Sequence, residues 1–210
     1  MEDLKIIDEM SQMQPVKKGT LILSPDKPLE ALFLLKKGQV RLYRMNQNGK
    51  QFTVDILVDG NIFGETSTLS LTDDQIYAEA MTDTYLCILS KSDFEKFIEQ
   101  NPKIAIKFIN ILSTRLKEIY SMSEKIALGD VKNRILYLLL KLSEKTGKRK
   151  NEWQTIDMKL THQDVANMIG STRETTSGVM SQLKKEGYIK KGLKLAVNVE
   201  KAEEILDEMI

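Results

Sequence analysis

The 210-residue chain is short of the residues on which most active-site chemistry depends. It has one cysteine, Cys87, so no disulfide and no all-cysteine cluster site can form within one chain. Its one histidine is His162, which leaves none elsewhere for a catalytic triad. There is no phosphate-cradling glycine loop and no metal-ligand spacing, so neither an enzyme nor a metal or cofactor site is expected. No run of about eighteen apolar residues occurs, and the acidic start MEDLKIIDEM lacks a signal-peptide pattern. A cytoplasmic protein without a membrane partner is expected. Glycine and proline are scattered, with no low-complexity tract or repeat. What is present is ordinary for a globular chain: 41% hydrophobic and 29% charged residues, with a net charge of only +1.

The stretch from Lys159 to Lys194 departs from that balance, with seven Lys or Arg against three Asp or Glu. Thr161 is a good helix N-cap and Asp164, three residues on, completes a capping-box pair. Val165, Ala166 and Ile169 fall on one face of a short helix, which Gly170 ends; Ser171 or Thr172 caps the next. That second helix, from about Arg173 to Glu186, carries Thr176, Val179, Met180 and Leu183 on one face. Arg173, Glu174, Ser177 and Gly178 lie on the other. After Gly187, two short strands at Tyr188–Lys190 and Leu195–Val199 flank a basic turn. Helix, tight turn, helix and basic hairpin make a winged helix-turn-helix. A helix fits the major groove, and locally concentrated positive charge suits a polyanion. Helix pairs around a glycine turn also occur in proteins that never touch DNA.

Leu-Thr-His-Gln-Asp-Val-Ala followed by Ile-Gly-Ser-Thr-Arg-Glu-Thr resembles the operator-reading motif of the cyclic-AMP receptor protein and fumarate-nitrate regulator (Crp/Fnr) family. The resemblance implies that Arg173 and Glu174 read base edges, Arg to guanine acceptors and Glu to a cytosine amino group. It implies phosphate contacts from Thr161, Gln163, Thr172 and Thr175. Ser177 and the wing residues Lys191 and Lys194 complete the expected DNA-binding set. Many members carry an arginine where this chain has Gly178, so the operator is expected to differ there.

Between Val16 and Ser90 the chain reads as short strands at Thr20–Leu23, Leu32–Leu35, Gln39–Met45, Phe52–Leu57 and Tyr85–Leu89, parted by turn residues. A short helix over about Glu2–Met13 precedes them. Phe33-Leu-Leu-Lys-Lys-Gly-Gln-Val-Arg-Leu-Tyr and Asn61-Ile-Phe-Gly-Glu resemble the family's effector-binding β-roll, which extends the resemblance over nearly the whole chain. Gly64, Glu65, Thr66 and, on a later helix, Tyr120 are the implied effector-pocket candidates, although Gly64 and Glu65 also read as residues kept for fold geometry. Where the family's cyclic-nucleotide sensors place a phosphate-binding arginine, this chain has Asp73-Asp74-Gln75. A buried phosphate facing carboxylates loses its compensation at a cost of roughly 3–5 kcal/mol, so cyclic AMP is not expected as effector. The family's iron–sulfur sensors need several cysteines, and its haem sensors usually offer a histidine. Cys87 reads as core rather than as a redox switch, and His162 as a surface residue near a helix start. An unidentified small molecule, a partner protein or no effector at all remains.

From Ser92 the pattern is helical. Ser92 caps a helix through Gln100, and Pro102 opens a long one. Leu112, Ile119 and Ile126 recur every seven residues, interleaved with Phe108, Arg115 and Met122, as in a two-stranded coiled-coil seam. Ile104, Ile111 and Leu116 supply a second apolar face for packing on the β-roll. Gly129-Asp130 marks a hinge, with Asp130 capping an apolar helix at Val131–Lys145; a ribbon at Trp153–Lys159 and a tail helix at Val199–Ile210 follow.

The expected fold class is α+β. It comprises a β-roll sensing domain (1–100; antiparallel, a cyclic-nucleotide-binding-like jelly roll), a dimerisation helix (101–128) and a winged helix-turn-helix domain (129–210). The expected function is a homodimeric regulator of transcription bound to an inverted-repeat operator in double-stranded DNA. The resemblance implies RNA polymerase as a further partner. A ligand-independent regulator of the same fold is one alternative. A cyclic-nucleotide-binding regulatory module that does not bind DNA is the other.

Overall fold

The computed structural model describes residues 13–207 except 28, 67, 68 and 73; in the long helix the side chains of Ile104, Arg115, Met122 and 125–128 are also outside the description. Of the helix expected over about Glu2–Met13, residues 2–12 lie outside the described residues, and Met13 belongs to a strand instead. The chain forms two compact units, Met1–Thr114 and Arg115–Ile210.

In the first unit, eight strands form two antiparallel four-stranded sheets. They are β1 (Met13–Val16), β2 (Leu21–Leu23), β3 (Ala31–Lys37), β4 (Val40–Met45), β5 (Gln51–Leu57), β6 (Ile62–Glu65), β7 (Tyr77–Ala80) and β8 (Thr84–Ser90). Their order is β1-β8-β3-β6 in one sheet and β2-β7-β4-β5 in the other. Helix α1 (Lys91–Gln100) and the start of α2 (Pro102–Leu128) follow. Strand alternation sends Phe33, Leu35, Val40, Leu42, Phe63, Ala78 and Leu86 into one core, where the Phe33 and Phe63 rings stack at 5.1 Å. The opposite parity, Leu32, Leu34, Ile62, Cys87 and Leu89, packs with Phe94 and Phe97 of α1 and Phe108 of α2. With both faces covered, β3 reads as a continuous apolar run rather than an alternating one.

Two expectations are corrected in this unit. Helix α1 is capped by Ser90, not Ser92: the Asp93 N–H donates to Ser90 Oγ at 3.2 Å, and the Ser92 hydroxyl lies 3.0 Å from the same oxygen. Ser-x-x-Asp places the cap three residues before the acid. Phe108, expected in the dimer seam, is buried in its own unit, edge-on to Phe94 at 5.2 Å. Its aromatic area is better buried against α1 than left on a helix face.

The second unit contains the rest of α2, then α3 (Val131–Thr146), β9 (Arg149–Lys150), β10 (Trp153–Ile156), α4 (His162–Ile169), α5 (Arg173–Lys185), β11 (Ile189–Lys191), β12 (Leu195–Asn198) and α6 (Val199–Asp207). Asp130 caps α3, its Oδ1 accepting from Asn133 N–H at 2.8 Å. Tyr137 of α3 donates to Ser121 Oγ of α2 at 3.0 Å. Ile135, Leu136, Leu139, Val165, Ala166, Ile169, Leu183 and Val197 are buried. The wing strands belong to a four-stranded sheet, β11-β12-β10-β9. Every residue of β10 has a partner in β12, so the wing stands on a sheet and not on a lone hairpin.

Candidate DNA interface

The interface is built from helix ends. Thr161 Oγ1 accepts from the Asp164 N–H at 3.1 Å while Asp164 Oδ2 accepts from the Thr161 N–H at 2.8 Å, a complete capping box on α4. Gly170 closes α4 with φ 67° and ψ 35°, left-handed values that cost a glycine little. The Ser171 N–H returns to the Ala166 carbonyl at 3.0 Å. Two residues after Gly170, Thr172 caps α5 by accepting from the Thr175 N–H at 3.1 Å. The chain therefore turns between the helices with a returning backbone bond at the end of α4 and a capped N–H at the start of α5.

Helix α5 then sorts its side chains by face. Thr176, Met180 and Leu183 are buried, whereas Arg173, Glu174 and Thr175 are exposed. Among the described residues neither Arg173 nor Glu174 has a hydrogen-bond or ion-pair partner. They sit in the first turn, where the helix dipole and open N–H groups favour anions. Thr161 stands at the start of α4 and Thr172 and Thr175 at the start of α5, with their hydroxyls engaged in capping or in Thr172–Thr175 pairing at 2.9 Å. Gln163 donates to Asn167 Oδ1 at 2.8 Å, and the Ser177 carbonyl accepts from the Ser181 hydroxyl at 2.9 Å. His162 is the half-buried first residue of α4.

The wing lysines differ from one another. Lys191 is exposed with no described partner. Lys194 is paired with Asp157 at 2.6 Å. Lys190 lies over the Trp153 ring, 3.9 Å from its centroid. Behind the motif, Arg134 Nη1 donates to the Ile169 carbonyl at the end of α4, and Lys132 Nζ pairs with Glu186 at the end of α5 (2.6 Å). The Lys132 hydrogen bond, then one from Gln182, holds the Glu186 carboxyl below its ordinary range. Its own backbone N–H, then the Trp153 indole, does the same for Glu152. The sequence carries no sign of this support, since no local motif links positions 132 or 134 to residues thirty-five or more positions away.

The effector-pocket candidates fall into two groups. Gly64 (φ 101°) must be glycine, because a Cβ there would collide with the Ala31 carbonyl oxygen. Glu65 pairs with Ala31 and bridges to Ser70. The Thr66 N–H donates to the Leu69 carbonyl at 2.8 Å, and its Oγ1 accepts from the Leu69 N–H at 3.1 Å, closing a tight loop. Asp74 and Gln75 lie in an exposed turn, and Asp73 is outside the described residues. Tyr120 is 64% exposed on α2, in the second unit. The structure thus keeps Gly64, Glu65 and Thr66 contiguous on one strand and loop, and leaves Tyr120 apart from them in sequence and in unit.

On α2, Leu112 and Ile119 are exposed, as are Leu116 between them and Ile109 before them. Leu116 was expected on the face packed against the β-roll and is instead 48% exposed. The alternating four- and three-residue spacing Ile109, Leu112, Leu116, Ile119 follows the exposed stripe. The expected series through Phe108 and Arg115 ran one residue off it. The side chains of Arg115, Met122 and Ile126 are outside the description.

Residues 13–101 match the cyclic nucleotide-binding domain and residues 133–204 the Crp-like helix-turn-helix domain. The chain is 32% identical over 180 residues to the global nitrogen regulator of Synechococcus elongatus, covering 85% of this chain and 81% of that one. It is 31% identical over 163 residues to the cyclic AMP receptor protein of Thermus thermophilus, covering 78% and 72%. A mutant of CooA from Carboxydothermus hydrogenoformans shares the fold at TM-score 0.79 and 22% identity, over 96% of this chain and 90% of that one. Among the described residues no helix is long and apolar enough to cross a membrane. From the two matched domains and these relatives, the chain belongs to the Crp/Fnr family of DNA-binding transcription regulators.

Proposed function

We propose that the protein acts by binding, not catalysis, as a cytoplasmic homodimer on an inverted-repeat operator, with α5 of each subunit in the major groove. Arg173 and Glu174 read base edges. Thr161, Gln163, Thr172, Thr175, Ser177 and Lys191 contact the backbone. Lys194 joins them by exchanging Asp157 for a phosphate. The observation that carries this reading is the first turn of α5, where an exposed Arg and Glu without described partners directly follow the Thr172 cap. Two such helices on a dimer reach half-sites about one helical turn apart. The exposed stripe Ile109, Leu112, Leu116 and Ile119 supports α2 as the dimer seam, with Ile126 continuing its spacing. RNA polymerase is the further partner such a regulator serves.

The relative from Thermus thermophilus is named for cyclic AMP. This chain has Asp73-Asp74-Gln75 after its Gly64-Glu65 pair, and carboxylates there disfavour a cyclic phosphate. The effector is therefore not cyclic AMP but an unidentified signal, a different small molecule or a partner protein. Thr66 favours a second reading, a regulator that needs no effector: its N–H and hydroxyl are already closed on Leu69. A duplex-DNA mobility shift with the purified protein separates a regulator from a module that binds no DNA. Retardation of a DNA selected from random duplexes, resolving into an inverted repeat, is the expected result.

A further inference from the structure

Gly178 stands in the interior of α5, where nothing among the described residues requires a glycine. Its φ lies outside the left-handed region, and a Cβ built there meets no atom within 4 Å. It is five residues into a helix that runs from Arg173 to Lys185, so it caps nothing. A glycine in such a position weakens a helix relative to alanine, because it surrenders more chain entropy on folding. Alanine is the better residue for the fold, yet the sequence has glycine. The side chain is missing on the exposed side of α5, one turn beyond Glu174 and next to Ser177. The opposite side, through Thr176, Met180 and Leu183, is packed.

We infer that Gly178 is a specificity-determining residue, the point where the bare α5 backbone lies against the C5-methyl of a thymine in each half-site. The inference rests on the reading of α5 as the DNA-reading helix. Within a helix the glycine N–H and C=O are bonded along the axis, so position 178 offers a base neither donor nor acceptor. It offers only closeness and the apolar Cα–H surface. Of the base edges in the major groove, only thymine projects an apolar group, its methyl. A side chain at 178 occupies the space that the methyl fills.

The test exchanges one methyl for another. The full-length protein selects its operator from random duplexes, and Gly178→Ala is titrated against that operator and against copies in which single thymines are replaced by deoxyuridine. The expected result is that Gly178→Ala melts no lower than the parent but binds the operator about tenfold more weakly. Deoxyuridine at one position in each half-site, which removes only the methyl, then restores its binding. Undiminished binding by Gly178→Ala, or a loss that no single deoxyuridine repairs, overturns the inference. Arg173→Ala, run alongside, tells the two failures apart. If it and Glu174→Ala both bind the operator like the parent, α5 is not the reader and the proposed function itself fails. If it weakens binding while Gly178→Ala does not, only the role of Gly178 falls.

Discussion

Arg134, in the first turn of α3, donates through Nη1 to the carbonyl oxygen of Ile169, the last residue of α4, at 3.2 Å. Helix ends leave carbonyls without intrahelical partners, and this one is satisfied from another helix. Two positions earlier, Lys132 reaches Glu186 at the end of α5. One turn of α3 therefore ties down both helices of the reading motif. Replacing Arg134 by Met keeps much of the apolar stem and removes the donors. The expected loss is about 1–3 kcal/mol of stability, seen as a lower melting temperature by Trp153 fluorescence. Binding to operator and random DNA should weaken together, because the helices lose their mutual setting.

The Lys132–Glu186 pair gives a pH dependence. The folded pKa of Glu186 is depressed, so its contribution is fully present above the unfolded value, roughly 4.3. That contribution is lost as pH falls through the folded value. The melting temperature of the parent should drop more steeply than that of Glu186→Gln between about pH 5 and about pH 3, with the two converging at the acid end. Parallel curves across that range contradict the assignment.

Phe108 and Ile119 are both apolar residues of α2, and their variants should behave oppositely. Ile119 is 62% exposed, so Ile119→Lys leaves the subunit folded and sets like charges face to face in the seam. Sedimentation velocity should show a monomer with an unchanged circular dichroism spectrum. Phe108→Ala opens a cavity beside Phe94 and should cost about 3–5 kcal/mol, with dimerisation affected only as far as the fold is.

The reading motif was legible in the sequence because its signals are local. A capping box spans four residues, and the glycine that ends α4 is followed two residues later by the next cap. The β-roll was visible as strand-like runs, but β1, β6 and β7 are only four residues each and carry too little pattern to stand out. Phe108 was misplaced because helical spacing gives a set of possible faces, and which face meets α1 is a tertiary fact. Lys194 reads as an unpaired wing cation until the fold brings Asp157 beside it. The support from Lys132 and Arg134 is non-local in the same way.

Cyclic AMP should bind this protein weakly. Isothermal calorimetry should give no heat attributable to micromolar binding, and saturating nucleotide should leave operator affinity unchanged. Tight binding coupled to DNA affinity would show that Asp73-Asp74-Gln75 does not exclude the phosphate.

In the proposed function Arg173 reads a base while the wing holds the backbone. One titration series measures Arg173→Ala and Lys191→Ala against the selected operator and a scrambled duplex over a range of salt. Arg173→Ala should lose about 1–3 kcal/mol on the operator alone and relax preference at one base pair per half-site. Lys191→Ala should weaken both DNAs alike and lower the salt slope by about one unit for each phosphate it no longer neutralises. Equal weakening of operator and scrambled DNA by Arg173→Ala would contradict the account, making Arg173 a phosphate ligand and leaving base reading to Glu174 and Ser177.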